Sequence, residues 1–209
     1  MSLEGVGAVG ASAGYVEPAR TPVSPGDLRG AIDRAYQKVI GKAPSATLLD
    51  NLTAQASLET GRGAQMYNFN FGGIKGASPT GQTAQCLTHE VTSDGSQVTV
   101  RQGFRAYGSI DAGAEDYVRV LKKNFGAALG QAELADVGGF AHALKSAGYY
   151  TASESDYASA LRGQGAAKAP ALARTSDAFF DADSLSRVMN ALSASALRIA
   201  SPEHDDGDV

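Results

Sequence analysis

Two glutamates occupy positions from which carboxyl chemistry could be done. Glu59 closes a stretch with helical apolar spacing. With Leu48 as angular origin and about 100° per residue, Leu52 falls at about 40° and Glu59 at about 20°. Glu59 therefore lies on the stripe that should meet the core. Partial burial disfavours its charged form, and so does the negative end of the helix dipole in the last turn. Both raise its pKa, and a carboxylic acid neutral near pH 7 can donate a proton. Periodicity alone leaves a second reading open, a glutamate that snorkels out at a helix end.

Glu90 is the second candidate. Val-, Thr- and Leu-containing runs flank Ser93-Asp94-Gly95-Ser96, and Asp-Gly between such runs predicts a tight hairpin. A two-residue turn at Asp94-Gly95 pairs Val91 with Val98, His89 with Val100 and Glu90 with Thr99. Leu87, His89, Val91, Val98 and Val100 then share an apolar face, and Glu90 shares a polar one with Arg101. A carboxylate on a wet face keeps a low pKa. A drier acid and a wetter carboxylate are the pair used in glycoside hydrolysis. An exposed strand charge paired with Arg101 is the other reading of Glu90.

The elements that must position these groups follow from the pattern. Leu28, Ile32, Ala35, Tyr36 and Val39 predict a helix over 28–40, ended by Gly41 and Pro44. Ser45 is an N-cap candidate for the helix that carries Glu59, and Gly61 is its C-cap. Residues 62–81 read as loop. After Ser109 the spacing predicts a helix through Phe125, one over Leu134, Val137, Ala141 and Leu144 ended by Gly148, and a short one at Tyr157–Leu161. Four parts are expected: a flexible arm (1–27), a catalytic-size domain (28–162), a linker and packed C-terminal helix (163–200), and an acidic tail (201–209).

Composition removes several function classes. The formal charge of the 209 residues is −4, and residues 1–200 carry equal numbers of acids and bases, so there is no basic stripe for nucleic acid. No apolar run is long enough to span a bilayer. One cysteine, Cys86, excludes an internal disulfide and a cysteine zinc cage. Cys86 and His89 are three apart on an expected strand and point to opposite faces, which argues against a thiol dyad. His89, His142 and His204 have no metal-ligand spacing, and Asp205, Asp206 and Asp208 lack a calcium-loop pattern, so no metal and no cofactor is expected. With no Trp, aromatic contacts fall to 8 Tyr and 7 Phe. Tyr67, Phe69 and Phe71 read either as a sugar platform or as apolar pins of the loop.

Ordered motifs add to this reading. Gln55-Ala-Ser-Leu-Glu59-Thr-Gly61 is followed by Asn70-Phe71-Gly72-Gly73-Ile74-Lys75, Thr88-His89-Glu90, Phe104-Arg105-Ala106-Tyr107-Gly108-Ser109, Ala147-Gly148-Tyr149 and Asp156-Tyr157-Ala158. Over Leu28–Leu161 the chain resembles the peptidoglycan-cleaving glucosaminidases of glycoside hydrolase family 73. The resemblance implies a mainly helical α+β, lysozyme-like fold with a small β-hairpin lobe. It makes Glu59 the general acid and Glu90 a second carboxylate on that lobe. Tyr149 becomes the tyrosine that holds sugar or water, with Tyr150 a competing assignment. Asn70, Phe71, Tyr67, Tyr107, Lys75 and Arg62 become substrate-contact candidates, Tyr107 equally readable as structural. The family pattern is broken at three places: Arg62 and Gly72 stand where aromatics are common, and Thr151-Ala-Ser-Glu-Ser155 replaces a usual Thr-Asp-Pro.

The implied activity is an endo-β-N-acetylglucosaminidase acting on peptidoglycan glycan strands, in the periplasm or the extracellular cell wall. An N-acetylmuramidase or lytic transglycosylase, or a non-catalytic glycan-binding module, are the alternatives. No signal peptide is visible, so export by a non-Sec route is expected, with a secretion-apparatus or immunity-protein partner.

Overall fold

The computed structural model describes residues 14–91 and 97–166; the side chains of residues 88–91 and 97 lie outside that description. The expected linker beyond residue 166, the C-terminal helix and the acidic tail also lie outside the described residues, as do residues 1–13 of the expected arm.

Helix α1 (Pro25–Ile40) opens on Ser24, whose hydroxyl accepts from Asp27 N, with proline in its first turn. Helix α2 (Ala46–Thr60) is capped as expected: Ser45 accepts from Leu48 N, and Gly61 ends the helix in the left-handed region at φ 55°. Ser109 caps α3 (Ile110–Asn124), and Ser153 caps α6 (Glu154–Gly163) in the same way. Between them run α4 (Gly126–Glu133) and α5 (Val137–Ser146). Helix α4 is not visible in the residue pattern. It contains Gly126 and Gly130 and buries only Ala128 and Ala132, so no large apolar side chain marks its period. Leu134, expected on the face of the next helix, caps α4 instead and is exposed.

Helix α2 is the axis of the core. It packs against α1, α4 and α6. Burial extends around most of it, from Leu48 and Leu52 to Asn51, Gln55 and Ser57. Its polar groups reach out to neighbours: Asn51 Nδ2 donates to Ala132 O at 2.7 Å, and Gln55 Oε1 accepts from Tyr117 Oη at 2.6 Å.

The sheet has order β1-β2-β3. Strands β2 (Gln82–Val91) and β3 (Gln97–Arg105) are antiparallel, and β1 (Gly14–Val16) lies parallel to β2. The hairpin register differs by one residue from the expected one. Val91 pairs with Gln97, Glu90 with Val98 and His89 with Thr99. Five residues lie between the last described pair, Val91 and Gln97, an odd number that a two-residue turn cannot produce. The far end of β3 is held by the 70–76 loop, where Arg105 N donates to Ile74 O at 2.8 Å and Gly76 N to Gly103 O at 2.9 Å. A one-residue slip exchanges faces, so the apolar sets of the two strands fall on opposite sides. Leu87 faces Arg101 across the ladder, and both Leu87 and Val98 are exposed.

The segment from Gly14 onward also departs from the expected arm. Beyond β1, Ala19 and Asn68 exchange hydrogen bonds, Thr21 N donates to Met66 O and Val23 N to Gly63 O. Low apolar content hides this from a periodicity reading, because the attachment is made by backbone groups.

Candidate active site

Glu59 sits in the last turn of α2, one residue before the helix ends. Gly61 ends the helix in a left-handed turn, and further along the chain Gly73 approaches the carboxyl: a β-carbon there would stand 3.8 Å from Glu59 Oε2. The carboxyl is enclosed although the residue as a whole is half-buried. Its Oε1 is inaccessible and has no hydrogen-bond partner. Burial pushes its pKa up to about 8, and a hydrogen bond from Tyr149 opposes that rise. The upward direction expected from the sequence is the one found, and burial is what raises it.

Tyr149 follows Gly148, whose φ of 77° turns the chain out of α5. Its ring meets Phe125 edge-on at 5.3 Å, and its hydroxyl lies 3.3 Å from Gly72 O, which shares with Glu59 the single proton that the hydroxyl can donate. A β-carbon on Gly72 would lie 3.1 Å from that hydroxyl and 3.3 Å from the Tyr117 ring. Glycine at position 72 therefore leaves room for Tyr149 beside the acid. Tyr150 points elsewhere: it stacks on Tyr157 at 3.8 Å and donates to Ala141 O at 2.9 Å. Of the two tyrosines, Tyr149 is the one the fold brings to Glu59.

A cleft of about 730 Å³ runs past Glu59 between the helices and the sheet. Tyr67 and Asn70 line it. The Asn70 side chain is already committed: its amide donates to Ile74 O and Arg105 O, and its oxygen accepts from Ile74 N. It fixes the shape of the loop that follows the acid helix. Phe71 is fully buried and packs on Tyr117 at 6.0 Å, so it is a pin of that loop and no sugar platform. Tyr107 is buried too, donating to Asp116 Oδ2 at 2.7 Å beside Arg105 at 2.8 Å. Arg62 is exposed, Lys75 bridges to Phe104, and neither lines the cleft. The Glu90 side chain lies outside the described residues; its backbone is held on β2 opposite Val98.

Several cleft residues carry no motif. Tyr15, Val16, Glu17 and Pro18 form part of one wall, and Gln65, Asn68, Gln85 and Arg101 complete the polar lining. Among the described residues, Glu17 and Glu59 are the carboxylates that line the cleft. No group of three His, Cys, Asp or Glu is placed to hold a metal among the described residues, and no helix there is long and apolar enough to cross a membrane. An enclosed acid neutral up to about pH 8, beside an open polar groove, can protonate a leaving oxygen.

A family model described as Glucosaminidase, mannosyl-glycoprotein endo-beta-N-acetylglucosaminidase, matches residues 42–164. No curated protein matches the chain. Among solved structures, the catalytic domain of the autolysin Auto from Listeria monocytogenes is 22% identical with a TM-score of 0.52, over 70% of this chain and 85% of that one. A peptidoglycan hydrolase mutant from Sphingomonas sp. A1 is 27% identical with a TM-score of 0.49, over 66% and 90%. A C-terminally truncated glycoside hydrolase domain of FlgJ from Salmonella typhimurium is 25% identical with a TM-score of 0.45, over 66% and 91%. The architecture is the mainly helical, lysozyme-like one with a small sheet. The family match spans more than half of the chain and contains the acid helix, the hairpin and Tyr149, so this chain belongs to the glucosaminidase family of glycoside hydrolases.

Proposed function

We propose that the chain is a peptidoglycan hydrolase, an endo-β-N-acetylglucosaminidase with Glu59 as its general acid. The observation that carries this is the enclosed Glu59 carboxyl, held neutral to about pH 8 at the wall of the cleft. The ordered motifs supply the substrate class, since they are those of peptidoglycan-cleaving glucosaminidases. In this mechanism the Glu59 proton passes to the glycosidic oxygen as the β-1,4 bond on the reducing side of N-acetylglucosamine breaks. Tyr149 holds the carboxyl in place through its hydroxyl. Glu90, on the hairpin, activates water or stabilises the oxocarbenium-like charge. A wall substrate places the enzyme in the periplasm or the cell wall, where a secretion-apparatus or immunity partner would meet it.

Purified sacculi digested with wild type and Glu59→Gln test the reading. Wild type should release soluble muropeptides with reducing N-acetylglucosamine ends, and the variant should release almost none. Anhydromuramic ends would replace this assignment by a lytic transglycosylase. Binding to sacculi without release would replace it by a glycan-binding module.

A further inference from the structure

The family match begins at residue 42, yet one wall of the cleft comes from upstream of it. Residues 14–16 are hydrogen-bonded to the sheet through β2, and Gly14 N also donates to Gly81 O at 3.2 Å. A few residues on, the chain is tied to the loop that follows the acid helix. Asn68 N donates to Ala19 O at 2.9 Å, Asn68 Nδ2 to Glu17 O at 3.2 Å, and Arg20 Nη2 to Ala64 O at 2.7 Å. The short segment 15–18 thus runs between the sheet and the helical side, anchored at both ends, and lines the cleft between them.

Its side chains carry a second feature. Five large hydrophobic residues are exposed among the described residues, and three of them, Tyr15, Tyr67 and Leu87, line this one cleft. Tyr15 is 78% exposed and Tyr67 is 44% exposed. Exposed apolar side chains gathered at one groove mark a contact surface. Arg20, from the same segment, stands 5.9 Å over the Tyr67 ring and steadies it. Tyrosine suits a sugar because its ring face packs on axial C–H groups while its hydroxyl stays wet.

We propose that residues 15–18, upstream of the family match, form a glycan subsite, with Tyr15 as the ring on which an N-acetylhexosamine stacks and Tyr67 as a second contact. The proposal rests on the glycan-hydrolase reading of the cleft. Its test uses the full chain and two measurements. In the Glu59→Gln background, binding of the β-1,4 tetramer of N-acetylglucosamine is followed by calorimetry. Adding Tyr15→Ala should weaken binding about fivefold to tenfold, and Tyr15→Phe should keep it within about twofold. In the active enzyme, Tyr15→Ala should raise KM for solubilised glycan strands by a similar factor, with kcat held within about twofold. Equal affinity and equal KM for Tyr15→Ala and its parent, with hydrolysis intact, overturn the subsite. Absence of tetramer binding by the Glu59→Gln parent overturns it as well. Absence of any sacculus hydrolysis by wild type sinks the functional reading instead. Thermal unfolding of Tyr15→Ala at the parent's temperature separates a lost contact from a lost fold.

Discussion

At the residue scale, the proposed role of Glu59 as general acid ties both rate and stability to its protonation. A general acid must hold its proton, so kcat/KM should fall as pH rises through about 8. A rate–pH profile on glycan strands checks this; a profile flat up to pH 10 would remove Glu59 from the acid role. The same shift affects folding. The unfolded carboxyl loses its proton near 4.5 and the folded one near 8, so between those values the folded state binds the extra proton. Stability from this group is complete below about pH 4.5 and declines as pH rises to about 8. Glu59→Gln cannot lose a proton, so its unfolding temperature should exceed that of wild type by a margin that grows over this range. Melting curves at pH 4.5, 6.5 and 8.5 would expose a constant margin, the contrary result. Tyr149→Phe removes the hydrogen bond that opposes the rise, so the alkaline limb should move to higher pH.

At the element scale, buried polar links decide where the loops sit. Asp116, on α3, accepts from both Tyr107 and Arg105, and its side chain is almost wholly enclosed. Asp116→Ala strands the Arg105 guanidinium next to the cleft and should cost about 3 kcal/mol in urea unfolding. The Arg34–Asp111 pair has similar distances but lies open to solvent, so Arg34→Ala should change stability by less than about 1 kcal/mol. The comparison tests whether burial, rather than the count of ion pairs, sets the contribution. The element pattern was legible wherever large apolar residues or caps mark it: Ser45 and Gly61 bound the acid helix at both ends. It was not legible for α4, whose buried residues are alanines. Nor did Asp94-Gly95 predict the register, because the ladder is anchored at its Arg105 end by residues distant in sequence.

For the whole molecule, the cleft depends on helix α3 standing close to the loop that follows the acid. A β-carbon on Gly113 would overlap the carbonyl oxygen of Phe69. Gly113→Ala must therefore push the 67–74 loop away from α3. Destabilisation of about 2 kcal/mol, with a raised KM, is the expected outcome; an unchanged unfolding midpoint would mean the two elements separate without strain. Tyr67 and Asn70 on that loop face the groove, while Phe69 and Phe71 on it pack inward. The alternation Tyr67-Asn-Phe-Asn-Phe71 shows an aromatic loop in the sequence, but its division between groove and core depends on what α3 presents.

The sequence by itself determined where Glu59 sits, on the inward stripe of a capped helix, while the enclosure that strips its carboxyl of water and keeps its proton is tertiary. It determined the helical class in the same way, through spacing and caps that act within a few residues. Tertiary structure decided which residues share the cleft with that acid. It selected Tyr149 over Tyr150, turned Phe71 and Tyr107 into the interior, shifted the hairpin by one residue, and brought Tyr15 and Glu17 to the groove. These outcomes rest on contacts between residues far apart in the chain, many made by backbone groups that every amino acid carries, and such contacts leave no local pattern to read.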